Sequence, residues 1–484
     1  VSTTPSADLR RGQPDPDGPR TIRTVIVAAT AALAGFLFGF DTAVINGAVR
    51  AIGEQFEASS LVLGFSVASA LIGCAIGAWN AGRIADRYGR IRVMLIASSL
   101  FVISALGCGL AFSLYDLVLW RVVGGLGVGA ASVIAPAYIA EIAPARLRGR
   151  LGSLQQMAIV IGIFVALLSN YALVSFSGGA SNVMFGLETW RWMFLAELVP
   201  ALLYGVLALT IPESPRFLVA KKDFKQAADV LRKFVGGDVH AKIEQIRKTL
   251  EGKPDRPSFK MIRGAAVGLA PIVWVGIFLS VFQQFTGINV IFYYSTVLWQ
   301  AVGFTEQNAL AITVITSVTN ILTTIAAIML IDKIGRKPLL LIGASGQFLC
   351  LGTLAVLFGI APVVDGVPEL GSTAPIALIA ANLFVVFFGI SWGPVVWVML
   401  GEMFDNRIRA MAISVAAAAQ WAANFFISMT FPALADIGLA VAYGFYTVCA
   451  FLAIFFVLKF IRETKGIELE DMDKLEATYA HSKG

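Results

Sequence analysis

Asp86-Arg87-Tyr88-Gly89-Arg90 closes one apolar stretch of this chain, and Asp332-Lys333-Ile334-Gly335-Arg336 closes another, 246 residues later. Around these two segments the same features recur in the same order. Pro136-Ala137-Tyr138-Ile139-Ala140-Glu141 precedes Arg146 and Arg148, and Val398-Met399-Leu400-Gly401-Glu402 precedes Arg407 and Arg409. Pro212-Glu213-Ser214-Pro215-Arg216 ends the first half, and Arg462-Glu463-Thr464-Lys465-Gly466 ends the second. Glu141 and Glu402 lie 261 residues apart, and Glu213 and Glu463 lie 250 apart. Solenoid repeats run about 20–50 residues, so this is a duplicated unit instead.

Composition places the two units in a membrane. Hydrophobic residues make up 57% of the 484 and charged residues 14%; soluble domains average about 25% charged. About 20 apolar residues cross a hydrocarbon core as a helix. Twelve such runs start near residues 22, 59, 91, 115, 150, 190, 267, 307, 337, 374, 407 and 437. The predicted fold is an all-α integral membrane protein, with twelve helices in two six-helix bundles related by a pseudo-two-fold axis. Parallel halves meeting at the bilayer midplane are one architecture of alternating-access transporters. The expected division is a disordered cytoplasmic tail (1–21), a first bundle (22–211), a cytoplasmic helical linker (212–266), a second bundle (267–462) and a cytoplasmic tail (463–484). In the linker, 223–235 and 239–251 read as amphipathic helices that bridge the halves.

Basic residues set the orientation. With the N-terminus inside, the cytoplasmic loops carry Arg83, Arg87, Arg90, Arg92, Arg146, Arg148, Arg150, Lys333, Arg336, Lys337, Arg407 and Arg409. The external loops carry Glu54, Glu57, Glu188, Glu306, Asp365, Glu369 and Asp436, with Arg50 and Arg191 as exceptions. The net charge of +6 follows from this bias and requires no nucleic acid. Cys74, Cys108, Cys350 and Cys449 show no metal-ligand spacing, and both histidines, His240 and His481, fall outside the spans. No metal or cofactor is expected.

Asp41 lies inside the first span, where an acid costs at least about 2.5–3.5 kcal/mol and marks a cavity or a partner. Arg121 in the fourth span lies at a similar depth, about 10 Å below the outer surface. Two readings stand. A fixed ion pair locks the two helices; alternatively, Asp41 takes and releases a proton while Arg121, which cannot usefully deprotonate, acts as its counter-ion. Glu197 in the sixth span is a second acid at similar depth, there to tune the pair or to bond backbone.

Another set of charges, Asp86, Arg87, Arg90, Glu141, Arg148, Glu213, Arg216, Asp332, Arg336, Glu402, Arg409 and Glu463, falls at cytoplasmic span ends. Solvated charge is the plain reading. Recurrence in both halves favours inter-helix ion pairs that hold the cytoplasmic side shut and break when it opens.

Amides also occur where the chain is otherwise apolar: Gln155 and Gln156, then Gln283, Gln284 and Asn289, then Asn320, then Gln420 and Asn424. Trp392, Trp397 and Trp421 accompany them. Amides both donate and accept, as sugar hydroxyls require. Indoles offer a flat apolar face and one N–H. Any single amide can be interhelical glue. The cluster around Gln283-Gln284-Phe285-Thr286-Gly287-Ile288-Asn289 suits an uncharged polyol, with Gly287 expected to break the helix and free backbone groups.

On these residues the chain resembles the sugar porter family of the major facilitator superfamily, over about residues 22–470. The resemblance rests on Gly82-Arg83-Ile84-Ala85-Asp86-Arg87-Tyr88-Gly89-Arg90, Pro212-Glu213-Ser214-Pro215-Arg216, Gln283–Asn289 and Glu463-Thr464-Lys465-Gly466. It implies a central sugar site lined by Gln156, Gln283, Gln284, Asn289, Asn320, Trp397 and Asn424, joined by Gln420 and Trp421. It also implies that Asp41, with Arg121 and Glu197, couples a proton. Gly389 departs from the Glu that many facilitative glucose carriers have in the tenth span. The expected activity is proton-coupled import of a monosaccharide, D-glucose first, with xylose, galactose or inositol behind it. A facilitative uniporter, a sugar sensor and a membrane enzyme are the competing classes; no triad, metal cluster or nucleotide loop favours the last. The expected partners are the sugar, protons and the lipid bilayer, with a functional monomer at the cell membrane and both termini cytoplasmic.

Overall fold

The computed structural model describes residues 18–144, 148–235, 238–251, 262–264, 268–364, 367–404 and 408–464. Twelve helices long and apolar enough to cross a bilayer run Thr21–Gly47, Ser60–Tyr88, Arg90–Gly109, Leu114–Ile142, Ser153–Ser177, Thr189–Ala208, Pro271–Ala301, Glu306–Ile331, Arg336–Ile360, Gly371–Glu402, Met411–Ile437 and Leu439–Phe460. They are called spans 1 to 12. Each begins within four residues of its expected start. Arg146, Arg407 and both terminal tails (1–17 and 465–484) lie outside the described residues, as do the side chains of Arg148, Arg150 and Asp332.

The recurring motifs fold alike. Gly89 and Gly335 take φ of +100° and +104°, a region open to glycine, and turn the chain from span 2 into span 3 and from span 8 into span 9. A helix start leaves backbone N–H groups without partners. At span 3 the Glu213 carboxylate accepts them from Arg90 (3.0 Å) and Ile91 (3.2 Å). At span 9 Glu463 accepts them from Arg336 and Lys337, both at 3.0 Å. Negative charge at a helix N-terminus is favourable by about 0.3–1 kcal/mol.

Close helix packing follows from small residues. A Cβ on Gly39 would fall 2.0 Å from Ile159 O, and one on Gly162 would fall 2.0 Å from Phe36 O. Spans 1 and 5 therefore touch backbone to backbone.

Three apolar cores hold the molecule. One draws on both halves, with Phe40, Val44 and Phe194 beside Ile291, Tyr294 and Phe431. It lies at the end away from the 212–266 linker, here called the far end. The second belongs to the first half and includes Met94, Ile134 and Tyr138. The third belongs to the second half and includes Leu340, Met399 and Phe404. Hydrogen bonds between the halves made by the described residues also gather at the far end. Asn46 Nδ2 donates to Phe292 O (2.8 Å) and Ser295 Oγ (3.0 Å), while its Oδ1 accepts from Thr296 N and Thr296 Oγ1. Arg50 bonds Gln300, Ala180 N bonds Glu306, and Gln307 bonds Ser175. The halves are thus joined at the far end and have separate cores at the linker end.

Linker helices form over Pro215–Ala220, Phe224–Val230 and Val239–Glu251, with a π-helical turn at Leu231–Val235. These described helices pack on the first half. Leu218, Val219, Ala227, Val230 and Phe234 enter the core of the first half, and Thr24 Oγ1 of span 1 donates to Phe234 O. The described part of the amphipathic face finds its apolar partner on the first bundle.

Candidate functional site

Asp41 and Arg121 meet, 1% and 2% exposed. Arg121 Nη1 donates to Asp41 O at 3.0 Å and to Asp41 Oδ1 at 3.4 Å. A Cβ on Gly124 would stand 3.1 Å from Asp41 Oδ1, so that glycine leaves room for the pair. Glu197, 1% exposed, sits where span 6 breaks between Thr189–Leu195 and Leu198–Ala208, close enough to interact with both charges. Asp41 Oδ2, Arg121 Nε and Glu197 Oε1 have no protein partner. Two buried carboxylates and one buried guanidinium thus share this region. A proton on either carboxylate balances the three.

The amides of span 7 join into a chain. Asn289 Nδ2 donates to Gln284 Oε1, and Gln284 Nε2 donates to Gln283 Oε1 at 3.3 Å. Gln420 Nε2 of span 11 donates to the same Gln283 oxygen. Gln283 Nε2 in turn donates to Trp392 O (2.8 Å) and Gly393 O (3.3 Å) of span 10. Gln283 is the hub, linking spans 7, 10 and 11. Local breaks make this possible. Gly287, at φ +81°, separates helices Pro271–Phe285 and Ile288–Gln300. The N–H groups of Thr286, Gly287 and Val290 bond within the break, to Phe282 O, Gln284 O and Gly287 O. In span 10 a π-helical turn at Phe388–Trp392 precedes Pro394, which has no N–H to donate.

Other expected residues scatter around this chain. Asn424 lies one turn beyond Gln420, and its Oδ1 accepts the Ser428 hydroxyl at 3.1 Å. Asn320 O accepts the hydroxyls of Thr323 and Thr324. Gly389 brings span 10 against them: a Cβ there would fall 2.2 Å from Thr323 Oγ1. The glycine at this departure from the family pattern is therefore a packing requirement. Trp397 exposes 44% of its surface, and Trp421 reaches the first half, 6.2 Å from the Phe38 ring centroid. Gln156, on span 5 in the first half, is partly buried, while its neighbour Gln155 faces Gly35 of span 1. Trp392 departs from expectation. It is fully buried in the core of the second half and its Nε1 donates to Leu340 O at 3.0 Å, so neither its face nor its N–H is available to a ligand. Asn46 was missed by the sequence reading; it was signalled only by its place five residues after Asp41.

Linker-end charges form two matching networks. Arg90 grips Glu141 with two bonds of 3.0 Å and also reaches Asp86 at 3.3 Å. Arg336 grips Glu402 at 3.0 and 2.8 Å. Ser214 Oγ bonds Glu141, and Thr464 Oγ1 bonds Glu402 at 2.6 Å. These pairs are formed while the linker-end cores are separate, and each stays within one half. The expected inter-helix pairs form at Arg90 and Arg336, and each ties helices of one bundle together. Arg409 instead donates to Phe404 O at 3.1 and 3.0 Å. Arg87 stacks on Tyr88, and the Arg216 backbone N–H donates to Ser214 Oγ. At the far end, Arg191 holds the Gly109 and Ala111 carbonyls and Glu188, which explains a basic residue there. Partial desolvation pushes the Glu188 carboxyl up, but its own backbone N–H and Arg191 outweigh that and hold it below the usual carboxylate value.

The chain matches the protein family described as "Sugar (and other) transporter" over residues 27–475. It is 58% identical over 452 residues to the glucose transport protein of Synechocystis sp., covering 93% of this chain and 96% of that one. It is 38% identical over 485 residues to the D-xylose-proton symporter of Escherichia coli, covering 93% and 95%. The inward open structure of the xylose transporter XylE from E. coli superposes with a TM-score of 0.78 at 37% identity, over 93% of this chain and 99% of that one. The same major facilitator superfamily protein bound to 6-bromo-6-deoxy-D-glucose gives 0.74 at 38% identity, over 93% and 98%.

Proposed function

The chain belongs to the sugar transporter family, and we propose that it imports a monosaccharide, D-glucose above all, together with a proton by alternating access. The observation that carries coupling is Asp41: a buried carboxylate with one oxygen held by Arg121 and the other without a protein partner, beside a second buried carboxylate. Such a group can bind or release a proton when helix movement changes its neighbour or its water access. The Gln283-centred amide chain carries the sugar half of the reading, since it offers donors and acceptors without net charge.

In this reading the linker end is cytoplasmic, as the basic loops require, and both termini are on that side. The present arrangement, joined at the far end, is then inward-facing, and the likeness to an inward open relative supports it. The protein works as a monomer in the cell membrane and uses no cofactor beyond the coupling proton. Identity to a glucose transport protein supports glucose over xylose, galactose or inositol. It transports and does not catalyse.

The test is the pH of lightly buffered medium around de-energised proteoliposomes as D-glucose, xylose, galactose or inositol is added. Alkalinisation that depends on one sugar, and is lost with an uncoupler, establishes symport and names the substrate. Labelled sugar entry with no pH change makes this a uniporter and leaves Asp41–Arg121 a structural pair.

A further inference from the structure

Gln347 lies midway along span 9, in no site described so far. It is 0% exposed, and neither its Nε2 nor its Oε1 has a protein partner. An amide buried in this way has lost its bonds to water and gained none in exchange. Its place on the helix shows what it stands beside. Span 9 approaches span 10 through two glycines. A Cβ on Gly343 would fall 1.7 Å from Ser391 Oγ, and one on Gly346 would fall 2.2 Å from the Phe387 ring. Residues four apart share a helix face, so Gln347 stands one turn beyond Gly343 on the face that meets the π-helical turn of span 10. The same turn ends in the two carbonyls that hold Gln283. Ser391, pressed against Gly343, meanwhile donates its hydroxyl back to Phe387 O within its own helix.

We propose that Gln347 is a positioning residue for the amide site, poised to take the Ser391 hydroxyl when the far end opens. The inference rests on the transport reading above. In the present arrangement the hydroxyl is bonded to its own chain and the amide is left over. A π-helical turn carries one residue more than the α-helix around it, so rewinding it redraws the pairings one turn back along the helix. That releases the Ser391 hydroxyl from Phe387 O and lets it turn toward the Gly343–Gln347 row that it already faces. The bond formed there favours the far-open state. Through Trp392 O and Gly393 O, the same movement resets Gln283. The amide thus couples the shape of span 10 to the site it helps to build.

The experiment uses spin labels on Ser59→Cys and Asn308→Cys, exposed positions on opposite halves at the far end; the four native cysteines are buried. Gln347→Met and Gln347→Leu fill the same space without an amide. The expected result is a roughly tenfold fall in the far-open population relative to the parent, about 1.4 kcal/mol. Net transport slows as the far-open population falls. Ser391→Ala gives the same shift, and the double variant adds nothing to it, because both remove one interaction. Parent-like distances in both apolar variants overturn the proposal, and so do additive effects of the two substitutions. Absence of any sugar flux through the parent protein would refute the transport reading, whereas the label distances test Gln347 independently of flux.

Discussion

Arg121 holds Asp41 twice, by the backbone carbonyl at 3.0 Å and by the carboxylate at 3.4 Å. The shorter bond does not depend on ionisation. In the proposed coupling role, a proton on Asp41 would remove the attraction between charges but leave the carbonyl to keep the guanidinium in place. Spans 1 and 4 would then stay registered through the cycle, and protonation would change charge more than geometry. This is a useful property in a coupling site, where the proton must come and go without loss of the pocket that receives it.

Asp41→Asn should therefore fold and keep sugar exchange while losing uphill accumulation. The amide has nearly the shape of the acid and leaves the carbonyl bond intact, but it has no proton to exchange. Counterflow and proton-driven uptake, measured side by side in proteoliposomes, separate the two properties. Normal accumulation by the variant would rule out Asp41 as the coupling acid.

Gln283→Ala should weaken sugar binding by about tenfold or more. It strips the hub from Gln284, Gln420, Trp392 O and Gly393 O at once. Leaving buried polar partners unmatched costs about 1–3 kcal/mol. Binding titration of the purified protein reads the effect directly, and an unchanged Kd removes Gln283 from the site.

Glu141→Ala and Glu402→Ala should destabilise the protein to a similar degree, each by about 1.5–3 kcal/mol, the range for hydrogen bonds to charged groups. Around the two glutamates the networks match, from the two-pronged arginine to the hydroxyl of Ser214 or Thr464. Thermal unfolding in detergent is the measurement. A large loss for one and none for the other would mean that the two halves do not share this device.

Asn46→Ala should loosen the far end. One side chain there makes four hydrogen bonds across the halves and is 1% exposed. Reactivity of a cysteine placed at Ser295 or Thr313, which bond one another behind Asn46, should rise several-fold. Unchanged reactivity would show that the shared apolar core closes this end without the amide.

The twelve spans, the duplication and the two charged networks were legible in the chain itself. Span length and apolarity are set by the thickness of the bilayer, and a repeated Asp-x-x-Gly-Arg or Glu-containing motif carries its own local geometry. Gly89 and Gly335 turn the chain and Glu213 and Glu463 cap the next helix wherever those sequences occur. The pairing of Asp41 with Arg121 was legible for the same reason: unpaired charge at that depth is costly, and depth can be counted along a helix. Which amides meet was beyond the sequence. Gln155 turns to span 1 and Trp392 disappears into the core, while Gln283 gathers three helices, because rotation about a helix axis is fixed only by the neighbours that pack against it. The linker's attachment to one bundle, the Asn46 latch and the unpartnered Gln347 are tertiary facts too. Each depends on where the two halves sit relative to one another or on a break in a helix, and apolar periodicity specifies neither.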